Sequence, residues 1–201
     1  MRTDIITISA DGSGMQQALE QTEKAGDWRG LEPKQALRLR LLAEEMMGML
    51  RTIVGAQQFK YWVEAEDMHF ALHLSADAAV NSDMRRELLK TSTSGKNAAA
   101  KGFMNKMRDI FTQMYEPDST GMSPVAYGFY SMEASGASIN PLSEGMMYGW
   151  SLNAYRDAIA REAEQTEEWD ELEKSITAKL ADEIKIYIRE KNVEMVVEKS
   201  F

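Results

Sequence analysis

Three groups of residues have side chains of a type and spacing that could do chemistry. The first is a glutamate on a long apolar helix. Within residues 33–55 (PKQALRLRLLAEEMMGMLRTIVG), Leu39, Leu42, Ala43, Met46, Leu50 and Ile53 recur at helical spacing and make one stripe. At 100° per residue Glu44 falls almost opposite that stripe, while Glu45 sits on its margin beside Met49 and Thr52. A carboxylate at the edge of a buried stripe is costly unless something binds or hydrates it. The plain alternative is a half-exposed acid beside a core helix. The second group is the polar loop Thr91-Ser92-Thr93-Ser94-Gly95-Lys96-Asn97, followed by the slim run Ala98-Ala99-Ala100-Lys101-Gly102. A helix start there offers unpaired N–H groups and a partial positive charge, and a Gly/Ala approach lets phosphate oxygens reach them. Lys96 and Lys101 add charge, and Ser94 and Asn97 add hydrogen bonds. The same residues also describe a polar loop that merely caps a core helix. The third group is His69 and His73 on the polar side of one strand. Four residues of strand separate them by about 13 Å, too far to share a metal, so both are expected on a solvated strand face.

The elements that must position these groups follow from the apolar pattern. Ile5-Ile6-Thr7-Ile8 is a short β-rich run, ended by the turn Asp11-Gly12-Ser13-Gly14. That turn lacks the lysine of a phosphate-cradling loop and reads as a connection. Residues 15–24 form a helix that Asp27-Trp28-Arg29-Gly30 interrupts. The long helix starts at Pro33 and stops at Gly55. Phe59, Tyr61, Val63 and Ala65, then Met68, Phe70, Leu72 and Leu74, alternate with polar residues and predict a hairpin. Helices are expected over residues 82–90 and 98–114, followed by an irregular stretch over 115–150. Residues 151–163 and 166–180 are expected helices, the second opened by Thr166. Ile184, Ile186 and Ile188, a turn at Glu190-Lys191-Asn192, then Val193, Met195 and Val197 make a closing hairpin. Strands grouped in hairpins with helices between them predict an α+β, two-layer sandwich: a mixed or antiparallel sheet with helices on one face.

Composition narrows the function classes. The chain has 201 residues, 44% of them hydrophobic, which is ample for a core, and no apolar run long enough to span a bilayer. The start MRTDIITIS lacks a secretory pattern. Without cysteine there are no disulfides or thiolate metal sites, and the cytoplasm is the default expectation. A net charge of −9 argues against nonspecific nucleic-acid binding. No Gly-x-Ser-x-Gly elbow is present, and with two histidines a serine or cysteine hydrolase has the least support.

The order strand, helix, long acid-bearing helix, hairpin, helix, Gly-bearing loop, helix resembles the histidine-kinase-like ATPase superfamily, and within it the anti-sigma-factor serine kinases. The resemblance covers roughly residues 5–114. LRLLAEEMMGML resembles that family's acid-and-asparagine helix, in which a glutamate activates the attacking water and an asparagine four residues on binds magnesium. It implies Glu45 as the catalytic residue. His73-Leu74-Ser75-Ala76-Asp77-Ala78-Ala79 stands where the family has its Asp-x-Gly-x-Gly box, which implies Asp77 as the reader of the adenine amino group, with Ala79 at a glycine position. Thr91-Ser92-Thr93-Ser94-Gly95-Lys96 leading into Lys101-Gly102 resembles the lid and helix start that hold the phosphates. Ser94, Gly95, Lys96, Asn97, Lys101 and Gly102 are the implied ATP contacts. The asparagine position holds Met49, or Gly48 if Glu44 is aligned instead. Neither side chain can ligate magnesium.

On this reading residues 1–201 form one domain of the histidine-kinase-like ATPase type, with 115–180 a family-atypical loop and helical insertion. ATP is the expected cofactor, no protein metal ligands are expected, and turnover is expected to be weak or absent. The alternative is a noncatalytic regulatory interaction module that kept the scaffold and lost nucleotide binding. Its expected partners are a regulatory protein or a second copy of the chain, with no nucleic acid and no membrane. Tyr127, Phe129, Tyr130, Tyr148 and Trp150, with Met122, Met132, Met146 and Met147, have the composition of an adaptable contact surface, although packing onto the sheet explains them as well.

Overall fold

A computed structural model describes residues 1–54, 56–77, 147–161, 175–189 and 192–201. In chain order the elements are β1 (Ile6–Ser9), α1 (Met15–Arg29), α2 (Pro33–Val54), β2 (Gln58–Glu66), β3 (His69–Asp77) and β4 (Met147–Ser151). These are followed by α3 (Leu152–Arg161), α4 (Ile176–Leu180), β5 (Glu183–Arg189) and β6 (Asn192–Ser200). The described strands form one antiparallel sheet in the order β1-β2-β3-β6-β5-β4. The class is therefore α+β, with an antiparallel sheet.

The two hairpins follow from their alternation. Phe59, Tyr61, Val63 and Ala65 of β2 and Phe70, Leu72 and Leu74 of β3 are all buried, as are Ile184 and Ile186 of β5 and Val193, Met195 and Val197 of β6. Glu66 pairs with His69, leaving Asp67-Met68 as a two-residue turn in which Asp67 takes φ 49°. What joins the hairpins is the β3–β6 ladder, with Leu72 opposite Val197 and Leu74 opposite Met195. That ladder links residues at least 115 positions apart.

Helix α2 lies against β3 and β6, and its stripe (Leu39, Leu42, Ala43 and Met46) is fully buried. Each such leucine contributes about 1.5–3 kcal/mol relative to exposure. Helix α1 packs on α2, β1 and β2, and α3 packs on β4 and β5. Buried residues from all four helices (Leu19, Leu42, Tyr155 and Ala178 among them) belong to one core cluster with the inner face of the sheet. Thr22 of α1 anchors that contact. Its hydroxyl donates to the Ala18 carbonyl at 2.8 Å and lies 2.6 Å from the Tyr61 hydroxyl. The Thr22 proton is already committed, so Tyr61 donates to Thr22.

Three sequence expectations change. Helix α1 does not stop before Asp27-Trp28-Arg29 but runs to Arg29, where Gly30 at φ 80° ends it. The Leu31 N–H bonds the Gly26 carbonyl and the Gly30 N–H bonds the Asp27 carbonyl, a Schellman closure that needs the left-handed residue at Gly30 rather than earlier. The predicted irregular stretch ends in a strand, β4, because residues 147–151 find a partner in β5. Of the predicted helix over 166–180, residues 166–174 lie outside the described residues and Ile176–Leu180 is helical. Ser175, expected inside that helix, is extended (φ −77°, ψ 121°) and its side chain accepts the Ala178 N–H, so it is the N-cap of α4. For Trp150, of the two readings open from sequence, packing onto the sheet is the one observed: it is buried, with its ring centroid 5.8 Å from that of Tyr155. The expected helices over 82–90 and 98–114 lie outside the described residues. None of the described helices is long and apolar enough to cross a membrane.

Candidate functional site

Among the residues singled out from sequence, Glu45 keeps its place on the wheel. Glu44 is exposed, Glu45 is half-buried, and Met46 and Met47 beside it are fully buried. Glu45 has no hydrogen-bond or ion-pair partner among the described residues. One turn on, Met49 is 5% exposed. A buried thioether offers no oxygen to magnesium, so this helix supplies a carboxylate without the second metal ligand that magnesium-dependent phosphoryl transfer uses.

Asp77 ends β3 and is exposed. The alternation that sends Phe70, Leu72, Leu74 and Ala76 toward the helices sets Asp77 on the other face with His73 and Ser75. There the Asn192 Nδ2 donates to Asp77 Oδ1 at 3.2 Å and to Ser75 Oγ at 3.1 Å, and the Ser75 hydroxyl lies 3.3 Å from Asn192 Oδ1. The Asp77 carboxylate thus helps to tie the two hairpins together. Glu45, in the helical layer, and Asp77, on the opposite face of the sheet, are not brought together. Ala79, Ser94, Gly95, Lys96, Asn97, Lys101 and Gly102 lie outside the described residues, as does any cleft between α2 and the expected helix at 98–114.

A different set of polar residues does converge, on the face of the sheet away from the helices. The Trp62 and His73 rings stack with centroids 4.7 Å apart and planes 11° from parallel. His73 Nδ1 lies 2.9 Å from Glu194 Oε1, so the carboxylate accepts and Nδ1 carries a proton. The Trp62 indole donates to Glu64 Oε1 at 3.1 Å, and His73 Nε2 lies 3.9 Å from Glu64 Oε2 without a hydrogen bond. On the far side, the Arg2 guanidinium carbon sits 5.0 Å from the Trp62 ring centroid and Arg2 Nε lies 3.6 Å from Glu64. Alongside, Lys185 pairs with Glu198 at 2.5 Å. Burial alone would lower the Lys185 ammonium, but its bond to Glu198 outweighs burial and raises it.

This cluster corrects the reading of the histidines. His69 is exposed on a strand face as expected, 3.0 Å from Ser200 Oγ. The His73 side chain is only 15% exposed. The local signal was present: a two-residue turn at Asp67-Met68 sets Trp62 directly opposite His73. Glu194 had no such signal, because only the β3–β6 pairing delivers it. Since His73 Nε2 is buried, the cluster presents no proton-transfer atom to a substrate. What it does present is an aromatic face and a carboxylate that together hold a guanidinium. Among the described residues no group of His, Asp and Glu has the arrangement to hold a metal ion. The chain matches no protein-family model, no curated protein and no solved structure.

Proposed function

We propose that the chain is a regulatory domain of the histidine-kinase-like, anti-sigma-factor type that binds an adenine nucleotide without turning it over. The observation that carries this reading is helix α2. Its buried stripe lies across the junction of the two hairpins, Glu45 stands half-buried on its margin without a partner among the described residues, and Met49 fills the position where a magnesium ligand would be needed. The observed order strand, helix, long helix, hairpin, with a second hairpin paired beside the first, agrees with the expected scaffold. Glu45 would orient a water or hydroxyl, while the loop from Ser94 to Gly102 would hold the phosphates. Without an oxygen ligand at position 49 the charge on the leaving phosphate lacks its usual neutralising ion, and turnover is lost while binding persists.

One observation favours the second reading, a noncatalytic interaction module that no longer binds nucleotide. Asp77, implied as the adenine reader, is engaged by Asn192 on the face away from α2. Calorimetric titration of ATP, with magnesium and with EDTA, separates the two. The first reading expects saturable binding that is insensitive to magnesium, with no phosphate release. Absence of heat at millimolar nucleotide, on protein shown to be folded, leaves only the second.

A further inference from the structure

Residues 1–3 run beside β2 as a strand-like strap that continues β1 beyond a break at Asp4-Ile5. The Thr3 N–H donates to the Val63 carbonyl at 2.9 Å, and the Ala65 N–H donates to the Met1 carbonyl at 2.8 Å. The pairing is imperfect between them. The Val63 N–H is taken by the Thr3 side-chain oxygen at 2.9 Å, and Arg2 and Glu64 form an isolated bridge rather than part of a ladder. Gln21 of α1 steadies the strap through Thr3 Oγ1 at 2.7 Å and the Asp4 carbonyl at 2.8 Å. The only long side chain the strap lays on the outer face is Arg2, over Trp62 and against Glu64. The Arg2 side chain is 56% exposed and that of Glu64 45% exposed.

We propose that residues 62–66 of β2 are a strand-addition site for an extended, arginine-bearing protein segment, and that residues 1–3 occupy it in cis. The chemistry is specific. Backbone groups of Val63 and Ala65 supply the sheet bonds, the Trp62 ring supplies a cation–π platform, and Glu64 supplies the counter-charge, held in place by the indole N–H. The stack of His73 on Trp62 and the bond of His73 to Glu194 fix the orientation of the platform. A chain of net charge −9 also attracts a basic segment over distance. The resident strap is held mainly by its backbone bonds, by the Met1 ammonium on the Ala65 carbonyl at 2.5 Å and by Met1 packing against the core, while the exposed cation–π contact and the exposed ion pair that select arginine each add only roughly a factor of two to five in occupancy. Its tether gives it an effective concentration in the millimolar range, so it competes well until a tighter segment arrives or the strap is loosened. The proposal does not depend on nucleotide binding, and the ATP titration leaves it standing whichever way that experiment falls.

The test uses the full chain with the strap weakened, Arg2→Ala together with Thr3→Pro, which removes the guanidinium, the Thr3 N–H and the Thr3 hydroxyl. The probe is the capped peptide acetyl-Met-Arg-Thr-Asp-amide, with its citrulline analogue as the uncharged control, read by tryptophan fluorescence and by calorimetry. The double variant is expected to bind the arginine peptide at least about tenfold more tightly than the wild type does, and to bind the citrulline peptide at least about fivefold more weakly than the arginine peptide. Trp62→Leu in the same background is expected to abolish the preference for arginine. No saturable signal at millimolar peptide on a folded double variant, equal binding of the two peptides, or equal binding by wild type and variant would each overturn the proposal. Should the double variant not fold, Arg2→Ala alone is compared with wild type, and an unchanged affinity for the arginine peptide overturns it.

Discussion

Replacing Tyr61 by phenylalanine and Thr22 by valine tests the direction of a fully buried side-chain hydrogen bond that fastens α1 to the sheet. Both residues are fully buried, and their oxygens are 2.6 Å apart. Tyr61→Phe removes a donor and leaves the Thr22 hydroxyl still satisfied by the Ala18 carbonyl. The expected cost is one net hydrogen bond, about 1 kcal/mol. Thr22→Val is the harsher change, since it strands the Tyr61 hydroxyl in an apolar interior without an acceptor. An unsatisfied buried group costs about 1–3 kcal/mol, so this variant should lose about 2 kcal/mol. The double variant removes both partners and should be no less stable than Thr22→Val alone. The assay is urea denaturation of the four proteins, with a melting shift of roughly 2–4 °C per kcal/mol as a cross-check. Burial pushes the Tyr61 hydroxyl well above its ordinary value near 10, and a bond donated by Thr22 to the phenolate, which requires Thr22 to release the Ala18 carbonyl, does not offset it. A raised folded value favours the protonated form, so this contribution is complete below about pH 10 and is lost as pH rises above that. Wild type should therefore lose stability in strong alkali more steeply than Tyr61→Phe. If Tyr61→Phe costs more than Thr22→Val, or if the alkaline slopes of wild type and Tyr61→Phe coincide, the assigned donor and the account of its burial are wrong.

Two further outcomes follow from backbone and surface charge. At Gly14, φ is 87° and a Cβ would collide with the Thr7 carbonyl oxygen, so Gly14→Ala should cost more than about 2 kcal/mol by denaturant titration, and a loss under about 0.5 kcal/mol would count against the packing of that turn on β1. For Asp182, burial alone would raise the carboxyl, but Lys199 at 2.6 Å and the Ser200 N–H at 2.7 Å outweigh it and hold it below its ordinary range. Its stabilising contribution is present above about pH 4 and is lost as pH falls through the lowered value, so Asp182→Asn should show a shallower acid-side decline in stability than wild type. Parallel declines below pH 4 would contradict this.

The local elements were legible in the chain because each reports its own backbone period. Phe59 to Ala65 and Phe70 to Leu74 repeat at two residues, Leu39 to Met46 repeat at helical spacing, and Pro33 marks the start of the long helix. The margin position of Glu45 came from the same arithmetic. Where such reading failed, a nonlocal partner decided the outcome. Helix α1 does not end at residue 24, because the chain closes only at Gly30, where the Leu31 N–H reaches back to Gly26. Residues 147–151 became a strand because β5 was there to receive them.

For the site the division is sharper. Composition and spacing placed the acidic helix and the histidines on the polar side of β3, and the family resemblance placed Asp77 at the end of that strand. They could not say which face a strand-end carboxylate would serve or what would lie over a polar face. Pairing β3 with β6 brought Glu194 to His73 and Asn192 to Asp77 across more than 110 residues, and pairing residues 1–3 with β2 set Arg2 on Trp62. Periodicity is a property of a few consecutive residues and survives in the written chain. The choice of neighbouring strand is made by burying whole apolar faces against one another, and only the folded chain records which faces met.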